Sequence, residues 1–172
     1  MTTAPPHSVL THALPSAAPA TPLVRTACRE DAPALAVLSR PFVRSGALRE
    51  RPLSLYVAHA ADFLVVEALD GTLVGCLGLR VHPDDDRGPA GVLYNFCVAR
   101  HLQGGGTGAR LLRAALATAR ALSLGALFTA TTGGGGLFLR HGFTPTSPRP
   151  APAEWVRSLD PRRNARVLAR EL

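Results

Sequence analysis

Between an apolar, strand-like run from Val92 to Ala99 and a helix-like run from Ala109 to Leu122 lies Gln103-Gly104-Gly105-Gly106-Thr107-Gly108. A strand, a glycine loop and a helix in that order commit the chain to an α/β fold. They also leave the helix start open to an anion: glycine allows close approach, and the first backbone N–H groups of the helix point outward. The helix-like run carries Leu and Ala on one face and Arg110, Arg113 and Arg120 on another, the pattern of an amphipathic helix packed on a sheet.

Three kinds of loop use this device, and the residues discriminate among them. A nucleoside triphosphatase needs GxxxxGK[ST] and a downstream Asp for magnesium. This chain has no Lys, and no acid follows the loop before Glu154. A dinucleotide fold places GxGxxG after its first strand, with an acid about 20 residues on for the ribose hydroxyls. Here the loop follows the fourth predicted strand and that acid is missing. The remaining pattern is Q/R-x-x-G-x-G/A, met by Gln103, Gly106 and Gly108 directly after Cys97-Val98-Ala99.

Around the loop the chain reads as one mixed α/β domain. Pro22 to Cys28 predicts a short strand, and the acids of Arg29-Glu30-Asp31 open a helix toward Leu38 that Pro41 and Gly46 interrupt. Arg51 to Ala60 predicts a second helical stretch. Phe63 to Ala68 and Leu73 to Val81 are strands joined by an Asp70-Gly71 hairpin turn. Leu127 to Thr131 is a strand, Gly133 to Gly136 a loop and Leu137 to His141 a short helix. Phe143 begins a late strand, and Arg166 to Glu171 forms the last.

Composition narrows the class further. A chain of 172 residues, 47% hydrophobic and 18% charged, can bury a core and is not disordered. Its apolar runs stop well short of the roughly 20 residues of a membrane span. Cys28, Cys76 and Cys97 have no CxxC spacing and the chain shows no charged n-region of a signal peptide, so a reducing cytoplasm is expected. Residues 1–22 carry no charge and hold five prolines, which predicts a flexible tail before a domain over 23–172. The net charge is +7, all of its basic side chains being Arg. From Arg87 to Ala153 there is no Asp or Glu, and that window favours an anionic ligand.

The glycine loop with its strand and helix resembles the pyrophosphate loop of the GNAT acetyltransferases. The resemblance implies a mostly antiparallel mixed sheet flanked by helices, and acetyl-CoA as co-substrate, with no metal. It places the thioester along Phe96, Cys97 and Val98, where backbone groups of Cys97 and Val98 would polarise the carbonyl. The pyrophosphate would lie in Gln103, Gly104, Gly105, Gly106, Thr107 and Gly108. Thr131 would face the same cleft, and Phe138 would pack near the pantetheine arm. Members of this superfamily often dimerise, so a homodimer is a further expectation.

A closer likeness lies outside the loop. Arg40-Pro41-Phe42 through Gly46, Leu48 and Arg51 is similar to I-R-P-L-x-x-x-G-x-L-x-x-R in the acetyltransferase domain of N-acetylglutamate synthases. Phe128 to Thr132, Phe138 to Phe143 and Arg163 to Leu168 are similar to that family's L-F-x-L-T-T, F-x-x-R-G-F and R-N-S-[KRH]-x-L. Together these cover nearly all of Leu23 to Leu172, as a short stand-alone form without the amino-acid kinase domain. The implied acceptor is the α-amine of L-glutamate, at the first step of arginine biosynthesis. Arg is the natural bidentate clamp for its carboxylates. Arg51, Arg163, Asn164 and Arg166 are the substrate candidates, and Arg157 is a weaker one.

The acceptor side departs from that family. Tyr94 stands where it often carries a Glu, a plausible general base, three residues before the Cys of C-V-A-V. Gly88 to Gly91 align with a hairpin that often holds a basic residue, and Gly133 to Gly136 replace a Ser/Asn-bearing loop. Tyr94 and His101 are therefore open candidates for proton handling, a tyrosine at its ordinary pKa being a better donor than base. Another amino acid or small amine as acceptor, or a non-catalytic acetyl-CoA sensor, fits the same residues. His82 with Asp84, Asp85 and Asp86 reads as an exposed turn rather than a metal site. The Arg-rich C-terminus lacks the interleaved aromatics of a nucleic-acid surface.

Overall fold

The computed structural model describes residues 23–83 and 88–172. The tail expected over residues 1–22 and the Asp84 to Asp86 run lie outside the described residues. Twelve elements follow in chain order: β1 (Val24–Thr26), α1 (Ala32–Arg44), α2 (Leu53–Ala58), β2 (Phe63–Glu67), β3 (Leu73–His82), β4 (Ala90–Val98), α3 (Thr107–Ala121), β5 (Ala126–Thr131), α4 (Gly136–Arg140), β6 (Thr144–Pro145), α5 (Ala153–Ser158) and β7 (Arg166–Glu171). The strands form one sheet in the order β1-β2-β3-β4-β5-β7-β6. Every neighbouring pair is antiparallel except β4 and β5, which α3 joins as a parallel crossover. No helix among the described residues is long and apolar enough to cross a membrane.

Alternation along the strands divides the core between the two faces of the sheet. Leu111, Leu112, Ala115, Leu116 and Ala119 repeat at helical spacing and bury the inner face of α3 against Leu77, Leu79, Leu93 and Leu127, with Phe138 of α4 alongside. Leu35 of α1 and Tyr56 of α2 pack on the opposite face with Phe63, Val65, Cys76 and Cys97. Farther along that face, Trp155 and Val156 of α5 pack near Phe128 and Ala151.

Two expectations need correction. Helix α1 runs through Pro41 to Arg44 instead of stopping at Leu38. Proline removes one hydrogen bond, to the carbonyl of Val37, and Val37 sits on the exposed side where water can serve that carbonyl. Helix α5 lies in a segment for which the sequence predicts no element; Pro152 occupies its N-cap position. The remaining boundaries shift by a few residues at most, and β7 begins and ends as expected.

The turn into α1 is tied down electrostatically. Arg25 of β1 donates to both Asp31 oxygens, at 2.7 and 2.9 Å, and to Glu67 of β2 at 2.6 and 3.0 Å. The guanidinium holds the Asp31 carboxyl well below the usual carboxylate range. Asp31→Asn is expected to cost about 1 kcal/mol at neutral pH, the pair being partly exposed. A group with a depressed folded pKa stabilises above its unfolded value, about 3.9, and loses that contribution as the pH falls toward the folded one. Urea denaturation against pH should therefore show the two proteins converging below about pH 4.

Candidate active site

The β4 strand is where the sheet opens. Its pairing with β5 runs from Ala90↔Ala126 to Leu93↔Thr129 and ends there. The Thr129 hydroxyl donates to the Leu93 carbonyl at 3.1 Å and closes the point of divergence. On the other side, pairing to β3 passes from Gly78↔Tyr94 to Cys76↔Cys97, so β4 carries one extra residue in a β-bulge. Asn95 in that bulge has φ +49°, a left-handed conformation that Asn tolerates better than most residues. Bulge and divergence together free the stretch from Tyr94 to Val98 from β5 and aim it into a cleft.

One cavity of about 440 Å³ lies at the Cys97 end of this stretch. Phe96, Cys97, Val98, Gln103, Gly104, Gly106 and Gly108 line it, with Phe42, Ala109, Leu137, Arg140 and His141. Gly104 and Gly106 have φ +83° and +86°, and Gly106 is the N-cap of α3. The Gln103 side chain donates to the Val98 carbonyl at 3.0 Å, pinning the loop to the strand. A Cβ on Gly108 would come within 3.2 Å of Leu137 and 3.3 Å of Phe96, so glycine there lets α3 and α4 close on the strand. Helix-start N–H groups and the Arg140 guanidinium make this wall suited to an anion. Residues 105 and 107 belong to the same loop and helix start without lining the cavity. Phe138 stands behind Phe96, ring centroids 5.6 Å apart in a T-shaped pair. Thr131 lies off the cavity, its hydroxyl accepting from the Gly133 N–H at 3.2 Å.

A second cavity, about 380 Å³, adjoins the Leu93 to Asn95 end and is walled by Thr132, Trp155, Arg49, Arg51 and the 159–165 segment. Arg51 donates to Asn95 Oδ1 at 3.1 Å and to the Arg49 carbonyl at 3.2 Å, and its guanidinium lies 5.2 Å from the centroid of the Tyr94 ring. All of these partners are neutral, and burial works against the charge. A desolvated guanidinium of that kind binds a carboxylate strongly. Arg163 faces the same cavity, but its Nη2 donates to the carbonyls of Gly46 and Ala47, at 2.8 and 3.0 Å, and thereby ties the C-terminal segment to the loop after α1. Asn164 takes the left-handed conformation (φ +46°) that turns the chain into β7. Arg166 is exposed at the start of β7 opposite Thr131, outside the cavity lining. Arg157 lies in α5 and lines neither cavity.

Below the cleft runs a buried polar network. Asn95 Nδ2 donates to Ser39 Oγ at 2.8 Å, and Ser39 donates to the Leu35 carbonyl at 2.8 Å. The Cys97 thiol is 3.5 Å from that of Cys76, and this neighbour together with burial pushes its pKa far up. A thiol held neutral in this way is no nucleophile at physiological pH. Tyr94 reaches the other way: its hydroxyl donates to Asp62 Oδ2 at 2.9 Å, while Arg80 holds the same oxygen at 3.0 Å. His101 falls in the short turn after β4. His82 Nδ1 is 3.7 Å from the exposed Glu154.

Sequence reasoning missed Phe42, Arg140, Asn95, Ser39, Asp62 and Trp155. Arg140 carried a signal, as a cation within the acid-free window. Asp62 carried none, since 32 residues separate it from Tyr94.

The family model described as Acetyltransferase (GNAT) family matches residues 32–143. An amino-acid acetyltransferase of Neisseria meningitidis is 33% identical over 152 residues, covering 87% of this chain and 34% of that protein. One from Ralstonia nicotianae is 32% identical over 149 residues, covering 87% and 32%. The chain therefore spans about a third of the length of these curated relatives. Among solved structures, N-acetylglutamate synthase from Neisseria gonorrhoeae, complexed with coenzyme A and N-acetyl-glutamate, superposes with a TM-score of 0.79 at 31% identity, covering 89% of this chain and 35% of that one. A Mycobacterium tuberculosis protein in complex with CoA superposes at 0.72 with 28% identity, covering 88% and 99%.

Proposed function

The chain belongs to the acetyltransferase (GNAT) family, and from that premise we propose that it transfers acetyl from acetyl-CoA to the α-amine of L-glutamate. The observation that carries the acceptor is Arg51: a half-buried guanidinium with neutral partners, on the wall of a cavity lined by Leu93 to Asn95, the stretch of β4 directly before the Phe96 to Val98 that line the other one. The amino-acid acetyltransferase relatives, and the neighbour complexed with N-acetyl-glutamate, support the same reading.

In this mechanism the 103–108 loop and the start of α3 hold the pyrophosphate, and the freed edge of β4 takes the pantetheine arm. Backbone N–H groups near Cys97 and Val98 stabilise the oxyanion as the amine attacks the thioester carbon. Arg51 fixes a substrate carboxylate so that the amine meets the carbonyl at the junction of the two cavities. Transfer is direct, because the Cys97 thiol is neutral and turned toward Cys76. The reading also places the enzyme in the cytoplasm.

One observation favours a second acceptor class. Arg163 commits its Nη2 to the carbonyls of Gly46 and Ala47, which breaks up its fork for a second carboxylate and suits an amino acid with a neutral side chain. Initial rates of thiol release from acetyl-CoA with L-glutamate, L-glutamine, L-aspartate and a set of amines separate the readings. The highest kcat/KM is expected with glutamate. A higher value with a neutral amino acid replaces the acceptor and keeps the chemistry, and CoA binding without release from any amine identifies a sensor.

A further inference from the structure

An α-ammonium must lose a proton before it can attack, and the walls of the acceptor cavity offer few groups to take it. Asp160 Oδ1 accepts from the Arg162 N–H, at the far end of the cavity. Glu154 lies outside the lining of this cavity, exposed to solvent and 3.7 Å from His82. Tyr94 is different: it sits on the freed edge of β4, three residues from Cys97, and lines the acceptor cavity beside Arg51. Its hydroxyl proton is already directed at a carboxylate oxygen of Asp62, 2.9 Å away in the turn before β2.

We propose that Tyr94 and Asp62 act as one proton acceptor, Tyr94 touching the amine and Asp62 taking the proton through it; this rests on the acetyltransferase reading of the site. Tyr94 alone is the wrong base, because burial and the neighbouring Asp62 carboxylate raise its pKa well above that of an ordinary phenol. As a relay it need never become phenolate. The phenolic oxygen receives a proton from the ammonium while its own proton moves to Asp62 Oδ2. The freed nitrogen lone pair forms the C–N bond. The C–S bond then breaks with its pair on sulfur, and the second amine proton ends on the CoA thiol. Asp62 returns its proton to solvent after product leaves, so one acetyl-CoA and one ammonium give one amide, one thiol and one released proton.

The surroundings hold the pair in place. Arg80 of β3 donates to Asp62 at 3.0 Å and lies 5.2 Å from the Tyr94 ring centroid, opposite in role to Arg51 at the same distance. Phe63 packs edge-on to the Tyr94 ring at 5.2 Å. Gly78 on β3 lies under the ring: a Cβ there would come within 2.6 Å of it. Arg51, Arg80 and His82 are the other charged or titratable groups facing the pair.

The test uses the full chain and the acceptor that the wild-type protein turns over best. Tyr94→Phe and Asp62→Asn should each lower kcat by about 100-fold, and the double variant should be no slower than either single one. Asp62→Glu, which keeps a carboxylate beside the phenol, should restore part of the kcat that Asp62→Asn loses. CoA affinity by calorimetry should be unchanged in all of them, which a merely structural loss would not leave intact. Wild-type kcat in Tyr94→Phe overturns the relay, as does a double variant clearly slower than either single one. If the wild-type protein acetylates an amine and both variants match it, the relay alone fails. If it acetylates no amine, the acetyltransferase reading fails with it.

Discussion

Gly106→Val is expected to lower the affinity for CoA by at least about 100-fold, or about 2.7 kcal/mol, while the protein remains folded. Two effects combine. The residue at 106 has φ +86°, where a β-branched side chain costs about 1–3 kcal/mol of strain. A Cβ there meets no protein atom within 4 Å, so the new side chain has room beside the cavity that Gly106 lines, where the proposed function places the pyrophosphate. The loss therefore appears in binding more than in packing. Isothermal titration with CoA, beside a thermal melt, reads the two separately. CoA affinity close to that of the parent would contradict the placement of the pyrophosphate in this loop.

Arg51→Ala is expected to raise KM for an amino-acid acceptor by about 10- to 150-fold, the value of one or two charge-assisted hydrogen bonds. The KM for acetyl-CoA should be little changed, because Arg51 lies on the acceptor side of β4. Part of the effect will come through Asn95, whose Oδ1 accepts from Arg51 and whose amide reaches Ser39 of α1. Arg51→Lys keeps the charge and loses the fork, and should fall between. Steady-state kinetics with glutamate and with a simple uncharged amine make the comparison. An equal KM increase for both acceptors would show that Arg51 supports the bulge rather than the substrate.

The legible part of this protein was its anion-binding half. Gln103, Gly106 and Gly108 sit in one short stretch, and glycine chemistry, helix start and preceding strand are all local properties that sequence spacing reports. The same holds for α3, whose Leu and Ala positions lie on one face and bury there. The acceptor half is assembled from distant segments. Tyr94 meets Asp62 across 32 residues and Arg163 meets Gly46 across 117, and no periodicity encodes either contact. Arg163 and Arg166 show the consequence. Both lie in a motif-like stretch, yet one guanidinium is tied to backbone carbonyls and the other stands at the exposed start of β7. At Pro41 the expected break does not occur, because the missing N–H falls where no buried partner needs it.

Internal competition between acceptors decides whether glutamate is the substrate. The protein is given limiting acetyl-CoA with an equimolar mixture of the common amino acids, and the acetylated products are identified by mass spectrometry. Because all acceptors share one pool, product ratios report relative kcat/KM free of differences in enzyme concentration. N-acetylglutamate is expected to accumulate first and in largest amount. A different N-acetyl amino acid in that place, or no acetylated amino acid at all, would contradict it.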